Sequence, residues 1–148
     1  MSPLRNRVAV MHGVNLDMLG RRDPAHYGTV TLAELEQRVV AFGLELELEV
    51  ECFHTNSEAE FVEHLHGLPT RADGIVLNPG AWTHYSWAIH DAVELFTVPV
   101  VEVHLSDVDA REEWRRVSVL DGLVAARFVG LGPDGYREAL QFLAEGTA

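Results

Sequence analysis

Lysine is absent from this sequence, and all eleven basic residues are arginine. A Schiff-base mechanism needs a lysine amine or a free N-terminus, pyridoxal phosphate needs a lysine anchor, and a Walker A loop needs Gly-Lys followed by Ser or Thr. The absence of lysine argues against all three kinds of chemistry. Carbonyl chemistry on this chain would have to pass through an enolate instead of an iminium ion.

Cysteine and long apolar runs are also scarce. Cys52 has no second cysteine with which to form an internal disulfide, and neither a signal peptide nor an apolar run of membrane-spanning length is present. We therefore expect a cytoplasmic protein. The net charge of -12 disfavours nucleic acid and anionic membranes as partners. At 148 residues and 47% hydrophobic content, the chain suits one domain, residues 1–148, with a substantial core.

Apolar runs and helical patterns alternate along the chain. Strands are predicted at residues 7–11, 45–52, 74–77, 98–106 and 123–129, and helices at residues 31–43, 58–68, 82–95, 110–116 and 133–144. This alternation predicts an α/β fold in which helices cover both faces of a five-stranded parallel sheet. The second strand carries glutamates on one face, which suits a sheet edge and the strand order 2-1-3-4-5. Cys52 falls on the apolar face of that strand, so we interpret it as a core residue and not as a nucleophile.

The β-branched run at residues 98–106 carries the first candidate catalytic group. Side chains alternate along a strand, so Glu102 and His104 point to the same face near the end of the strand. A buried carboxylate needs a partner, and Glu102 could orient the imidazole and make it more basic. Ser106 follows at the edge where ligands of parallel sheets bind. A structural ion pair beneath a loop is the alternative interpretation.

The connection after the first strand is unusually long, because the first convincing helix begins only at Thr31. Strand-to-helix loops usually take about 2 to 6 residues, so this length predicts an active-site lid or a binding loop. Its tip, residues 20–28, combines Arg21, Arg22 and Tyr27 between glycines.

Several short motifs resemble known functional sites but lack the surrounding residues that those sites need. GLGPDG at residues 130–135 matches the dinucleotide fingerprint, but no second strand and no ribose-binding acid follow it. The loop after the first strand lacks the hydroxyl-rich phosphate cradle of a flavin site, and no G-x-S-x-G is present. His64 and His66 diverge on a helix, which predicts exposed histidines and no metal site. His84 and Asp91 are predicted to share one face of the helix at residues 82–95.

The loop motifs together resemble one known family. HGVNLDMLGRRDP at residues 12–24, followed by Tyr27 and Gly28, resembles the G-P-N-L-N-x-L-G-x-R-E-P-x-x-Y-G opening of type II 3-dehydroquinate dehydratases. Three further segments resemble the remaining signatures: NPGAWTH at residues 78–84 with Asp91, EVHLS at residues 102–106, and Arg111-Glu112 with Arg115. The match runs in order along almost the whole chain.

The resemblance implies a flavodoxin-like three-layer sandwich and the reversible, cofactor-free and metal-free dehydration of 3-dehydroquinate to 3-dehydroshikimate. It implies that Tyr27 is the base that removes the C2 proton, with Arg22 nearby to favour its phenolate form. His104, held by Glu102, would protonate the departing C1 hydroxyl. Asn15 would help to position a water molecule that stabilises the enolate.

The resemblance also implies how the substrate and the subunits are held. Leu105 and Ser106 would seat the substrate carboxylate, and ring hydroxyls would be bound by Asn78, His84 and Arg115. Asp91 would reach the site of a neighbouring subunit in a dodecamer built from trimers. A role in aromatic amino acid biosynthesis through the shikimate pathway and a role in quinate catabolism are both compatible with this resemblance.

The chain departs from the family pattern at secondary positions. The departures are Val14 for proline, Asp17 for asparagine, Asp23 for glutamate, TNSEA at residues 55–59 (with Ser57 and Ala59) for S-N-H-E-G, His90 for arginine, and Asp107 and Asp109 within the S-N-x-H segment. All first-rank catalytic positions are retained. The departures leave open a divergent relative that acts on a related cyclic hydroxy-keto acid, or a non-catalytic ligand-binding module of the same fold.

Overall fold

The computed structural model describes residues 6–146, which form a parallel sheet in the order β2-β1-β3-β4-β5. The strands are β1 (Arg7–His12), β2 (Glu49–His54), β3 (Gly74–Asn78), β4 (Val100–His104) and β5 (Ala126–Val129). The α-helices are α1 (Pro24–Tyr27), α2 (Leu32–Glu45), α3 (Glu58–Gly67), α4 (Trp87–Glu94) and α5 (Asp134–Gly146). The predicted fold class and strand order are confirmed.

The two faces of the sheet bury separate apolar clusters. On one face, Val8, Val10 and Val101 pack with side chains of α2 and α5. On the other face, Ile75 and Leu77 pack with side chains of α3 and α4. The result is the three-layer sandwich that the alternating pattern predicts. No helix within residues 6–146 is both long and apolar enough to cross a membrane.

The edge strand β2 begins later than the alternation of its glutamates predicts. Helix α2 continues past Gly43 to Glu45, and Glu47 adopts a left-handed backbone with φ of 60°. A Cβ atom at Gly43 would lie 2.5 Å from Cγ2 of Val50, so this glycine allows α2 to pack closely against β2 and does not end the helix. The prediction of a strand across residues 45–48 is wrong, while the edge position of β2 is confirmed.

The predicted helix at residues 82–95 is divided. A 3₁₀ helix covers Gly80–His84, and Ser86 then starts α4 by accepting a hydrogen bond from the Ile89 backbone N–H at 3.1 Å. The expectation that His84 and Asp91 share one helix face is therefore wrong, because a cap separates their elements.

Two other elements are shorter than predicted. The predicted helix at residues 110–116 is replaced by two 3₁₀ turns, Val108–Ala110 and Glu113–Arg116. The fifth strand starts at Ala126 instead of residue 123, because a series of turns precedes it.

Candidate active site

A cleft of about 270 Å³ opens at the carboxyl edge of the sheet, where the loops after β1, β3 and β4 meet. Ligands of open parallel sheets bind at this edge. Glu102 lies behind the cleft, beneath His104, and Asp91 is not part of its lining. The other predicted site residues line the cleft together: Asn15, Arg22, Tyr27, Asn78, His84, His104, Leu105, Ser106 and Arg115.

Two glycines allow the loops to cross closely beneath the cleft. A Cβ at Gly13 would lie 2.3 Å from the Pro79 carbonyl oxygen, and a Cβ at Gly80 would lie 2.5 Å from that of Val14. Gly80 also has a φ of 65°, which other residues rarely adopt. The Gly13 backbone N–H donates to the Asn78 carbonyl at 2.7 Å. Backbone packing thus holds the loops after β1 and β3 against each other.

Glu102 is fully buried and its carboxylate is surrounded by donors. The Thr83 hydroxyl and the Ser118 hydroxyl donate to it, the latter at 2.9 Å to Oε1, and Arg127 Nε lies 3.5 Å from Oε1. Burial by itself would raise the pKa of Glu102. The hydrogen bonds from His104 and Thr83 and the charge of Arg127 outweigh burial and hold the pKa below its usual range, so the carboxylate is ionised.

His104 is oriented by this carboxylate. Its Nε2 lies 2.6 Å from Glu102 Oε2, and the side chain is buried except where it lines the cleft. An ionised carboxylate can only accept, so Nε2 carries the hydrogen of this bond. Nδ1 is consequently the ring nitrogen available for exchanging a proton with a ligand. The sequence prediction that Glu102 and His104 form a pair is confirmed.

Tyr27 enters the cleft from the long connection after β1, at the end of α1. Its Oη receives two hydrogen bonds of 2.6 Å, one from Arg22 Nη2 and one from Arg111 Nη1. The Arg22 guanidinium carbon also lies 3.7 Å from the centre of the tyrosine ring. Two cationic donors therefore converge on one phenol oxygen, and such charge-assisted hydrogen bonds are short and strong. Arg21 is exposed and makes no such contact within residues 6–146.

Positive charge is concentrated around this phenol. Burial lowers the pKa of Arg22, as do the nearby charges of Arg111 and Arg115, while Tyr27 opposes the shift. Arginine remains protonated despite such shifts. Glu112, half-exposed, pairs with Arg115 at 3.1 Å and with Arg111 at 3.7 Å. The cleft can therefore attract an anionic ligand and stabilise a developing negative charge.

His84 contributes a neutral imidazole to the wall of the cleft. Its Nδ1 lies 2.7 Å from the Val117 carbonyl and donates to it, which leaves Nε2 as an acceptor. Burial lowers the pKa of His84, and the neighbouring His104 and Arg115 lower it further. The hydrogen bond to the Val117 carbonyl raises the pKa but does not outweigh these effects. An acceptor of this kind suits a ligand hydroxyl.

The two asparagines of the cleft are placed by different means. Asn78 Nδ2 donates to the buried Tyr136 hydroxyl at 3.0 Å, and its Oδ1 accepts from the Gly80 backbone at 3.1 Å. Asn15 instead has a left-handed backbone with φ of 69°, and its N–H donates to the Asn56 side chain at 2.8 Å. Asn56 also donates to the Asp17 side chain at 3.2 Å. Asp17, which stands where the family pattern has asparagine, therefore takes part in the hydrogen bonds between this loop and Asn56.

Several contributing residues escaped the sequence interpretation. Arg111 stood within a recognised motif but had received no role, and it bridges Tyr27 and Ser106, with 3.3 Å to the serine hydroxyl. Trp114 lies edge-on to His84 with ring centres 5.2 Å apart. Sequence carried no signal for the partners of Glu102, because they lie on other elements: Thr83, Ser118 and Arg127.

Comparisons with known proteins agree on one family. The family model described as dehydroquinase class II matches residues 6–144. A 3-dehydroquinate dehydratase of Syntrophotalea carbinolica is 48% identical over 135 residues, covering 90% of this chain and 91% of that protein. Another from Pelobacter propionicus is 46% identical over 140 residues and covers 94% of each chain.

A solved structure supports the same relationship. The crystal structure of a type II dehydroquinase from Propionibacterium acnes superimposes with a TM-score of 0.91 at 41% identity, covering 95% of this chain and 97% of that one. The matching family model, the sequence identity and the shared architecture extend over nearly the whole chain. This chain belongs to the class II dehydroquinase family.

Proposed function

We propose that this protein dehydrates 3-dehydroquinate to 3-dehydroshikimate through an enolate, with Tyr27 as the base and His104 as the acid. The observation that carries the proposal is the arrangement of the cleft. A tyrosine oxygen held by two guanidinium groups lines the same small cleft as an imidazole held by a buried carboxylate. One group suits proton removal and the other suits proton donation.

In the first step, the Tyr27 phenolate removes the C2 proton and becomes a neutral phenol, while the electron pair moves into the C3 carbonyl to form an enolate. Arg22 and Arg111 stabilise the phenolate before this transfer. A water molecule positioned with the help of Asn15 donates a hydrogen bond to the enolate oxygen. The absence of lysine agrees with an enolate route, because no side chain can form an imine.

In the second step, the enolate collapses and expels the C1 hydroxyl. Protonated His104 donates the Nδ1 proton to this hydroxyl, which leaves as water. Glu102 stabilises the imidazolium that donates the proton, because its ionised carboxylate accepts from Nε2 at 2.6 Å. General acid catalysis of this kind contributes roughly 10²- to 10⁴-fold to a rate.

Substrate binding uses the polar walls of the cleft. We assign the substrate carboxylate to Leu105 and Ser106, at the carboxyl end of β4, where Arg111 adds positive charge. The ring hydroxyls are assigned to Asn78, His84 and Arg115. This assignment agrees with the neutral state of His84, whose Nε2 can accept from a hydroxyl.

The direct test is an assay of purified, chelator-treated protein with 3-dehydroquinate, following the ultraviolet absorbance of the conjugated enone product. Absorbance should rise without added metal or cofactor. If calorimetry detects binding but the absorbance stays constant, the protein is a ligand-binding module. If the compound neither binds nor reacts, a related cyclic hydroxy-keto acid becomes the substrate to test.

We further propose that the enzyme assembles as a dodecamer built from trimers, with Asp91 contributing to a neighbouring site. The Asp91 side chain is 79% exposed and does not line the cleft of its own chain. Large apolar side chains beside it are also exposed, including Trp87 at 63% and Leu95 at 73%. Light scattering should give the mass of twelve chains. Full activity of a stable monomer would contradict this assembly.

A further inference from the structure

A second cluster of reactive side chains lies away from the cleft, between α2 and the sheet. His12 ends β1, Glu36 lies on α2, and Cys52 lies on β2. Val10 is the register partner of Cys52 across the β1–β2 ladder, so Cys52 shares a sheet face with Val10 and His12. One donor atom from each of His12, Glu36 and Cys52 lies within 4.8 Å of the other two.

The imidazole in this cluster has weaker contacts than a buried polar group usually has. His12 is 0% exposed, and its Nδ1 makes no hydrogen bond within residues 6–146. Its Nε2 lies 3.2 Å from Glu36 Oε2, a contact that falls short of good hydrogen-bond geometry but still lowers the pKa of Glu36. Buried ring nitrogens usually have well-formed hydrogen bonds, so this contact and the unpaired Nδ1 call for an explanation. A metal ion bound between the imidazole and the carboxylate would supply it.

From these contacts we propose that His12, Glu36 and Cys52 form a site for a borderline transition metal such as Zn²⁺, separate from the catalytic cleft. Imidazole, carboxylate and thiolate are the three zinc-ligand types of proteins, whereas Mg²⁺ and Ca²⁺ prefer oxygen donors alone. Three protein ligands leave a fourth tetrahedral position for water. His54 is outside this group and lies 3.8 Å from Asp17 instead.

The geometry requires only a modest closing of the ligands. Zinc bonds of about 2.0 to 2.3 Å place tetrahedral donors about 3.5 Å apart. The donor atoms here lie within 4.8 Å of one another, so no separation must shrink by more than roughly 1.3 Å. The Glu36 side chain is 31% exposed, and it borders a surface depression that Leu32 and Ala33 also line. Burial raises the pKa of the Cys52 thiol to about 12, so the ion must displace the thiol proton on binding.

Cobalt titration of the chelator-treated full chain tests this site directly. One Co²⁺ per chain should produce visible bands of a tetrahedral ion and a near-ultraviolet thiolate-to-cobalt charge-transfer band. Because Cys52 is the only cysteine of the chain, that band can arise from no other residue. Cys52→Ser should abolish it, and Glu36→Gln should weaken Co²⁺ binding by at least roughly tenfold.

A matched control addresses adventitious binding to the other histidines. The variant His64→Gln/His66→Gln removes a histidine pair from α3 and should leave both the stoichiometry and the charge-transfer band unchanged. Visible bands that persist in Cys52→Ser, or that vanish in the α3 variant, would place the ion on surface histidines and overturn the proposal. Failure of the wild-type chain to bind Co²⁺ would overturn it as well.

Two measurements on the unmodified protein guard against a variant that folds poorly. Cd²⁺ should produce an ultraviolet thiolate-to-cadmium band with one equivalent per chain. Zn²⁺ should raise the Tm in a concentration-dependent manner, because an ion that binds only the folded state stabilises it. Absence of the cadmium band would contradict the proposed metal site, and His12 and Glu36 would then form only an ion pair.

Discussion

Two pairs of histidine and glutamate lie at the ends of strands in the same sheet. His104 with Glu102 ends β4, and His12 with Glu36 lies at the end of β1. In the first pair the glutamate is wholly buried and saturated with donors, while the histidine lines the cleft. In the second pair the histidine is wholly buried and the glutamate is 31% exposed. The two pairs therefore differ in which member contacts solvent.

The first pair shares its cleft with a phenol, and the second pair does not. Tyr27 should supply the largest effect on catalysis if it is the base opposite His104. Tyr27→Phe keeps the ring and removes only the ionisable oxygen, so kcat should fall by roughly 10²- to 10⁴-fold with little change in KM. Steady-state kinetics measure this. Tyr85→Phe, at a side chain that is 59% exposed, is the matched control and should retain wild-type kinetics. Near wild-type turnover by Tyr27→Phe would remove Tyr27 from the mechanism.

The glutamates of the two pairs can be compared by the same substitution. Glu102→Gln should reduce kcat by roughly 10²-fold, because an amide cannot stabilise the imidazolium of His104 and leaves the Thr83 and Ser118 hydroxyls poorly paired. Glu36→Gln, measured on metal-free protein, should reduce kcat far less. Steady-state kinetics of the two variants, measured side by side, test this difference. Equal losses of kcat would mean that the pair of His12 and Glu36 also supports catalysis.

The guanidinium groups around Tyr27 should have a smaller effect, because each can partly replace the other. Arg111→Gln should lower kcat by roughly tenfold, since the phenolate loses one of two cationic donors. Steady-state kinetics measure this loss. Arg21→Gln, at an exposed neighbouring arginine, should keep the wild-type kcat. An unchanged kcat in Arg111→Gln would show that Arg111 does not act on Tyr27.

The smallest expected difference concerns stability in acid. Burial by itself would raise the pKa of Glu102, but its hydrogen bonds hold the pKa below its usual range. The contact with His12 lowers the pKa of Glu36. A carboxyl whose pKa is depressed on folding stabilises the native state above its unfolded pKa and loses this contribution as pH falls through the folded pKa. The Tm should therefore drop below about pH 4.5. The fall of Tm with pH should be shallower in Glu102→Gln than in wild type, and Glu36→Gln should change it less. Scanning calorimetry at several pH values would measure both. Identical acid profiles for wild type and Glu102→Gln would contradict the assignment.

Sequence patterns predicted the sheet and part of the site. The alternation of strands and helices predicted a parallel sheet, the acidic second strand indicated its order, and the strand period placed Glu102 and His104 on one face. Most other site residues, such as Tyr27 and Asn15, were predicted from the family resemblance.

The segments that failed did so for different reasons. Gly43 looks like a helix end, but it provides space for Val50 of a neighbouring strand. Ser86 instead starts a new helix through a local hydrogen bond with Ile89, within an apolar pattern that predicted one continuous helix.

Local sequence determined the residues that act within a few positions of one another, because the strand and helix periods fix which neighbours share a face. Tertiary structure alone decided which distant groups converge on them. Arg111 reaches Tyr27 across 84 positions, and Ser118 reaches Glu102 from a loop that has no periodic pattern. The cluster of His12, Glu36 and Cys52 likewise exists only because α2 packs across β1 and β2. Such contacts arise from the packing of elements against each other, and local periodicity carries no record of that packing.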